Sequence, residues 1–117
     1  MCGIIGYVGF RPLASILIEG LRRIEYRGYD SAGIASLNEN KITCLKKSGK
    51  VSDLETSIDH NLFFGNVGIA HTRWATHGIP NLVNAHPHND HLKKFSIIHN
   101  GIIENHSALK IFLEKKM

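Results

Sequence analysis

The chain has 117 residues, 43% hydrophobic and 21% charged, which is enough for one domain with a buried core. Its formal charge of +4 comes from 14 Lys and Arg residues in scattered singles and pairs, so a nucleic-acid partner is not expected. No apolar stretch approaches the roughly 20 residues that span a bilayer, and no leader is recognisable. We therefore expect a cytoplasmic protein without a membrane partner.

The first predicted elements are a strand and an amphipathic helix. Residues 2–9 are rich in β-branched residues and glycine, which is typical of a buried strand that another part of the molecule approaches closely. From Pro12 to Tyr26 apolar side chains recur at helical spacing, and Pro12 suits a first helical turn. One side of this helix is expected to be buried.

A hairpin is predicted next. Gly28 and Gly33 are expected to bracket an irregular turn. Two apolar segments, residues 34–37 and 41–45, then predict strands joined through residues 38–40.

The second half of the chain contains further short elements and one long loop. The elements are a helix at 51–58, a strand at 67–72, a strand at 95–99 and a final helix around Leu109, Phe112 and Leu113. Residues 73–94 have almost no periodicity and predict a long ordered loop. A loop of this length in a compact domain usually has a function.

Five short motifs contain the residue types that amide hydrolysis needs. They are CGIIG at 2–6, YRGYDSAG at 26–33, HTRWATHG at 71–78, NAHPH at 84–88 and HNGIIEN at 99–105. In this order they resemble the class-II glutamine amidotransferases, and among these most closely the branch that transfers ammonia to fructose 6-phosphate. Any one motif alone would be weak, whereas five in order are specific.

The resemblance implies an α+β fold, the αββα sandwich of antiparallel sheets found in N-terminal-nucleophile hydrolases. The 117 residues would hold about the first half of this domain. An acidic Thr-Asp-Thr-Glu segment and the sugar-phosphate isomerase domains would be missing, so fructose 6-phosphate would be a partner only through those domains. We expect no cofactor, homo-oligomers for full-length relatives, and little stability or activity from this chain alone.

Cys2 is the predicted nucleophile. Removal of Met1 would leave a thiol and a free α-amine on one residue, and an α-amine of pKa ~7.7–8.0 is roughly one-tenth neutral at pH 7. Alone, a cysteine at position 2 is better explained as a small apolar residue at a frayed end. The second cysteine, Cys44, is predicted to be a half-buried strand residue without a disulfide.

Asn100 and Gly101 are the predicted oxyanion donors, through a side-chain amide and a backbone N–H, because they match the family positions with that role. An Asn-Gly pair is also the strongest sequence signal for a type I′ turn. The two interpretations are compatible, since a tight turn can direct an N–H outward.

Four residues are predicted to bind L-glutamine. Arg73 can bind the α-carboxylate in bidentate fashion, and the resemblance assigns it that role. Thr76 and His77 match positions that line the same pocket. Trp74 matches a loop that closes over glutamine, although a core aromatic residue is a serious alternative.

Supporting roles are predicted for Arg27, Gly28 and His86. Arg27 and Asp30 would form an ion pair that braces the turn around Gly28.

Two other functions stay open at this point. His86, His88, Asp90 and His91 form an H-x-H-x-D-H pattern that matches the zinc-binding signature of metallo-β-lactamase hydrolases. No suitable strand precedes it and further ligands follow too soon, so we expect no metal site. The chain could instead be an inactive fragment or an interaction module of the amidotransferase.

Overall fold

A computed structural model describes residues 3–27, 31–59, 63–73 and 85–116. The strands in these ranges are β1 (Gly3–Val8), β2 (Ser31–Asn38), β3 (Lys41–Ser48), β4 (Val67–Arg73), β5 (His88–Asn89) and β6 (Ser96–Ile97). The α-helices are α1 (Leu13–Ile24), α2 (Val51–Ser57) and α3 (His106–Lys116), and a short 3-10 helix, Glu25–Arg27, follows α1.

The strands β1 to β4 form an antiparallel sheet in the order β1-β4-β2-β3. The predicted hairpin of β2 and β3 is confirmed, with Asn38 opposite Lys41. Glu39 and Asn40 form its two-residue turn, with φ angles of 51° and 63°. Positive φ at both positions is the type I′ geometry, whose twist suits a hairpin.

One side of this sheet, the helix face, packs against α1 and α2. Its core contains Leu17, Leu21, Ile34 and Ala70, all with no exposed surface. Successive side chains of a strand point to opposite sides of the sheet. The neighbours of Ala70 along β4 therefore belong to the other side, which we call the polar face.

In the first turn of helix α2, the Asp53 carboxylate accepts a hydrogen bond from the Lys50 backbone N–H at 3.0 Å. This bond satisfies an N–H group that the first helical turn leaves without a partner. Arg22 of α1 and Glu55 of α2 form an exposed ion pair that joins the two helices.

The carboxyl-terminal segment has a different character. Strands β5 and β6 are two residues each, and α3 has no buried residue. Several large apolar side chains of this segment are exposed: Phe95, Ile102, Ile103, Ile111, Phe112 and Leu113. Within the four ranges given above, no helix is both long and apolar enough to cross a membrane.

Several sequence predictions need correction. Gly33 lies inside β2 and does not end a turn. The predicted strand at 95–99 contracts to Ser96–Ile97, and β5 interrupts the predicted loop. Neither Asn100 nor Gly101 has a positive φ, so the type I′ turn proposed for them is wrong. Gly33 is a strand residue because the backbone of His86, distant in sequence, lies directly against it, whereas β6 is short because only the two residues of β5 pair with it.

Candidate active site

The carboxyl-terminal end of β4 carries two polar side chains on the polar face. His71 is 1% exposed and Arg73 is 7% exposed. Alternation along the strand places both opposite the helix face, because Ala70 belongs to the apolar core. Charged and imidazole groups are seldom buried this deeply without a structural or chemical reason.

His71 is joined to Asn100 by a hydrogen bond. Its ring Nε2 lies 2.7 Å from the side-chain oxygen Oδ1 of Asn100. An amide oxygen only accepts hydrogen bonds, so Nε2 carries the proton and donates it. Burial lowers the pKa of His71, as does the charge of Arg73, while the bond to Asn100 acts in the opposite direction.

His71 is the first of three imidazole rings that lie against one another in a tilted arrangement. The ring centroids of His71 and His86 are 4.3 Å apart, and those of His86 and His88 are also 4.3 Å apart. Burial lowers the pKa of His86 to about 4, with smaller contributions from the neighbouring His71 and His88 rings and from Arg73 and Lys46. The pKa of His88 is lowered by burial and by the same two cations. At neutral pH all three rings are therefore uncharged.

Residues 85–88 lie directly against the sheet. A side chain at Gly33 would collide with the backbone carbonyl oxygen of His86, so glycine is needed here for close backbone approach. The ammonium group of Lys46, which is opposite Gly33 in the sheet, donates a hydrogen bond to the carbonyl oxygen of Ala85 at 3.0 Å.

The same segment also contacts the residue that precedes the predicted oxyanion donors. The His86 ring atom Nδ1 accepts a long hydrogen bond, 3.5 Å, from the backbone N–H of His99. Since His99 immediately precedes Asn100, two histidines hold this part of the chain: His86 through the backbone and His71 through a side chain.

The structure brings together three of the predicted site residues, Arg73, His86 and Asn100, and Gly101 follows Asn100 directly. Arg27 lies in the 3-10 helix, and its side chain is outside the described residues. Also outside are Cys2, Gly28, Asp30, Trp74, Thr76 and His77.

The strand that follows Cys2 begins beside the site. Gly3, the first residue of β1, is paired with Thr72, which lies between His71 and Arg73 in β4.

Sequence reasoning missed His71, His88 and Lys46 as members of this site. His71 could have been found, because it lies in the predicted strand 67–72 and the structure extends that strand by one residue to Arg73, which places both side chains on the same face. The other two could not, since they reach the site only through the contact between residues 85–88 and β2.

The zinc interpretation is not supported. The Asp90 carboxylate caps a turn by accepting hydrogen bonds from the backbone N–H groups of Lys94 at 2.7 Å and Phe95 at 2.9 Å. His91 is exposed. Across the ranges that the structure describes, no three His, Cys, Asp or Glu residues are arranged to hold a metal ion.

Comparison with known proteins identifies close relatives. The chain is 53% identical over 116 residues to glutamine–fructose-6-phosphate aminotransferase of Clostridium acetobutylicum, covering 99% of this chain and 19% of the relative. The Pyrococcus horikoshii and Bacteroides thetaiotaomicron aminotransferases are 55% and 56% identical over the same shares of chain and relative. The chain thus spans about one fifth of the length of these relatives. No family model matches.

A solved structure supports the same relationship. Glutamine phosphoribosylpyrophosphate amidotransferase from B. subtilis superposes with a TM-score of 0.79 at 25% identity, covering 99% of this chain and 25% of that one. This similarity confirms the predicted α+β fold of the N-terminal-nucleophile type. The chain therefore belongs to the class-II glutamine amidotransferases, where it corresponds to the amino-terminal region of the glutamine–fructose-6-phosphate aminotransferases.

Proposed function

We propose that this chain carries the residues that hydrolyse L-glutamine to glutamate and ammonia. The observation that supports this most strongly is the presence of Arg73 and Asn100 around the same group of neutral histidines. A buried guanidinium binds carboxylates and an amide donor stabilises an oxyanion, so the site combines two requirements of amide hydrolysis.

Arg73 binds the α-carboxylate of glutamine in this proposal. Its guanidinium is almost fully buried at the end of β4, where a desolvated bidentate ion pair is strongest. Thr76 and His77 complete the pocket, and Trp74 closes over the bound substrate. These three roles rest on the sequence resemblance.

Cys2 attacks the side-chain amide carbon after its α-amine has taken the thiol proton. A C–S bond forms and the carbonyl π electrons move to oxygen. When this intermediate collapses, the C–N bond breaks and the ammonium proton passes to the departing nitrogen, which leaves as ammonia. Water then adds to the thioester with help from the same amine, releasing glutamate and restoring the thiol.

Asn100 and Gly101 stabilise the negative oxygen in both steps. The Asn100 amide and the Gly101 backbone N–H are neighbouring donors, and Gly101 presents its N–H without a side chain in the way.

The complete reaction extends beyond these residues. The relatives are named for glutamine and fructose 6-phosphate, and the chain matches about one fifth of them. We propose that this portion supplies ammonia as part of a class-II amidotransferase domain spanning residues 1–117 and beyond. Sugar phosphate binding and homo-oligomer formation would then depend on the remainder of such a protein.

The test is glutamate release by the full gene product that carries these residues. Cys2→Ala should reduce the rate at least about 1,000-fold, and a form that retains Met1 should lose nearly as much, because each change removes the nucleophile or its base. Cys44→Ala is the matched control and should retain activity, since Cys44 lies in β3. Activity within tenfold of the parent after either change at the amino terminus would contradict the proposal. Glutamine binding without glutamate release would indicate a binding module instead.

A further inference from the structure

The His71–Asn100 hydrogen bond defines the orientation of a planar amide. Oδ1 of Asn100 faces Nε2 of His71 at 2.7 Å. In a planar amide the NH₂ group occupies the other arm, about 120° from the oxygen, so it is directed away from the His71 ring. The ring thus determines which end of the amide faces it and which end is directed away from it.

The protonation of His71 suits this task. Its Nδ1 is buried and has no hydrogen-bond partner among the residues described. An Nδ1–H in that position would be an unsatisfied buried donor. Burying an unprotonated Nδ1 without a partner costs less free energy. Burial also lowers the pKa of His71, which favours the neutral ring. The Nε2–H tautomer is the one that these surroundings favour.

The ring itself is held in place. It lies on β4, where His71 is paired with Ile4 and Gly33 of the flanking strands. It also packs against His86, whose ring accepts the N–H of His99. The donor to Asn100 is therefore a buried side chain on a central strand of the sheet, although Asn100 itself is exposed.

We propose that His71 is the residue that positions Asn100 for oxyanion stabilisation, by donating Nε2–H to the amide oxygen and so turning the NH₂ group toward the reacting carbonyl. This inference rests on the proposed glutamine hydrolysis. Donation to the amide oxygen also polarises the amide, which makes its N–H groups better donors.

Two substitutions separate this positioning from simple packing. In His71→Gln the side-chain NH₂ comes close to the former Nε2 position, whereas in His71→Asn it comes close to the former Nδ1 position. Removing a whole oxyanion donor lowers kcat about 100- to 1,000-fold, so misdirecting one should lower kcat roughly 10- to 100-fold. We expect that loss for His71→Asn with little change in KM, and a kcat within about threefold of the parent for His71→Gln. The exposed His91→Asn is the control for the same chemical change.

A double-mutant cycle tests whether His71 acts through Asn100. In an Asn100→Ala background, His71→Asn should change kcat less than about twofold, since the group to be positioned is gone. Equal losses in both backgrounds, or equal losses for His71→Gln and His71→Asn, would overturn the proposal.

Nitrogen-15 NMR of the histidine rings provides a readout that does not need activity. In the full gene product, His71 should show the Nε2–H tautomer between pH 6 and 8, assigned by its absence from the His71→Gln variant. An Nδ1–H tautomer would mean that Nε2 accepts from the Asn100 NH₂, and it would overturn the inference even with normal glutamate release. The Nε2–H tautomer in a protein that releases no glutamate would overturn the proposed function but keep the His71–Asn100 bond.

Discussion

The two faces of the same four-stranded sheet have different tasks. The helix face buries Leu17, Leu21 and Ile34 completely beneath α1 and α2. The polar face carries Arg73 and His71, which are also buried but among polar and ring contacts. Alternate residues of β4 belong to different faces. Substitutions at two adjacent positions of this strand should therefore have different consequences, a loss of stability at one and a loss of activity at the other.

Arg73→Gln, a substitution on the polar face, should cause the largest loss of activity and is the most direct test of the difference between the two faces. Loss of a desolvated charge pair with the glutamine carboxylate typically costs ~2–5 kcal/mol, or roughly 30-fold to several-thousand-fold in kcat/KM. Steady-state glutamate release measures it. Arg23→Gln, at an exposed arginine of α1, is the matched control. A kcat/KM within threefold of the parent would remove Arg73 from substrate binding.

Leu17→Ala should show the opposite pattern. The residue is fully buried in α1, so its truncation should lower the free energy of unfolding by about 2–5 kcal/mol. Urea denaturation measures this change, and glutamate release at low temperature should be nearly unaffected. Ser15→Ala, at an exposed position of the same helix, is the control and should change the free energy of unfolding little. A large loss of kcat in the folded Leu17 variant would show that the two faces are not separable.

Gly33→Ala tests the contact that holds residues 85–88 on the polar face. Its new methyl group would collide with the His86 carbonyl, and overpacking of this kind costs about 1–3 kcal/mol. We expect lower stability together with reduced activity, because His86 also contacts His99. Gly6→Ala is the control, since no atom lies within 4 Å of a methyl group added there. Equal effects of the two substitutions would contradict this packing.

The pH dependence of stability should show the smallest effect. The pKa of His86 is about 4 in the folded chain and about 6.5 when unfolded, so the unfolded chain binds more protons between these values. Stability should therefore fall as the pH falls from about 6.5 to about 4. The lowered pKa values of His71 and His88 act in the same direction, and both His86 and His88 face the cations Lys46 and Arg73.

His86→Gln should make this decline shallower, as measured by thermal midpoints across that pH range. The same substitution at exposed His91 should leave the slope unchanged. A parent-like slope in the His86 variant would contradict the assignment of a lowered pKa to this ring.

Local patterns were sufficient to predict most elements of the main sheet. The helical spacing in α1 and the polar turn at Glu39 and Asn40 depend on nearby residues, and both are confirmed. Gly33 was misassigned because its glycine is required by a segment more than fifty positions away. The strand at 95–99 was overestimated for a different reason, since only the two residues of β5 pair with it.

The candidate site was predicted through motifs rather than through geometry. Arg73, His86 and Asn100 were each singled out from a motif, and the structure brings them together, but their arrangement in space was not predictable. The role of His71 requires knowing that residue 100 returns to β4, and no local pattern contains that information.

The row of neutral rings has a consequence for the product of the proposed reaction. Ammonia is a nucleophile only while its lone pair is free. An acidic group beside the place where it is released would convert it to ammonium, which is not a nucleophile. His71, His86 and His88 are held in their uncharged forms and can supply hydrogen bonds without supplying acid. In the proposed reaction these imidazoles, a side chain that often transfers protons, would not protonate the nitrogen released from glutamine, which would then stay reactive.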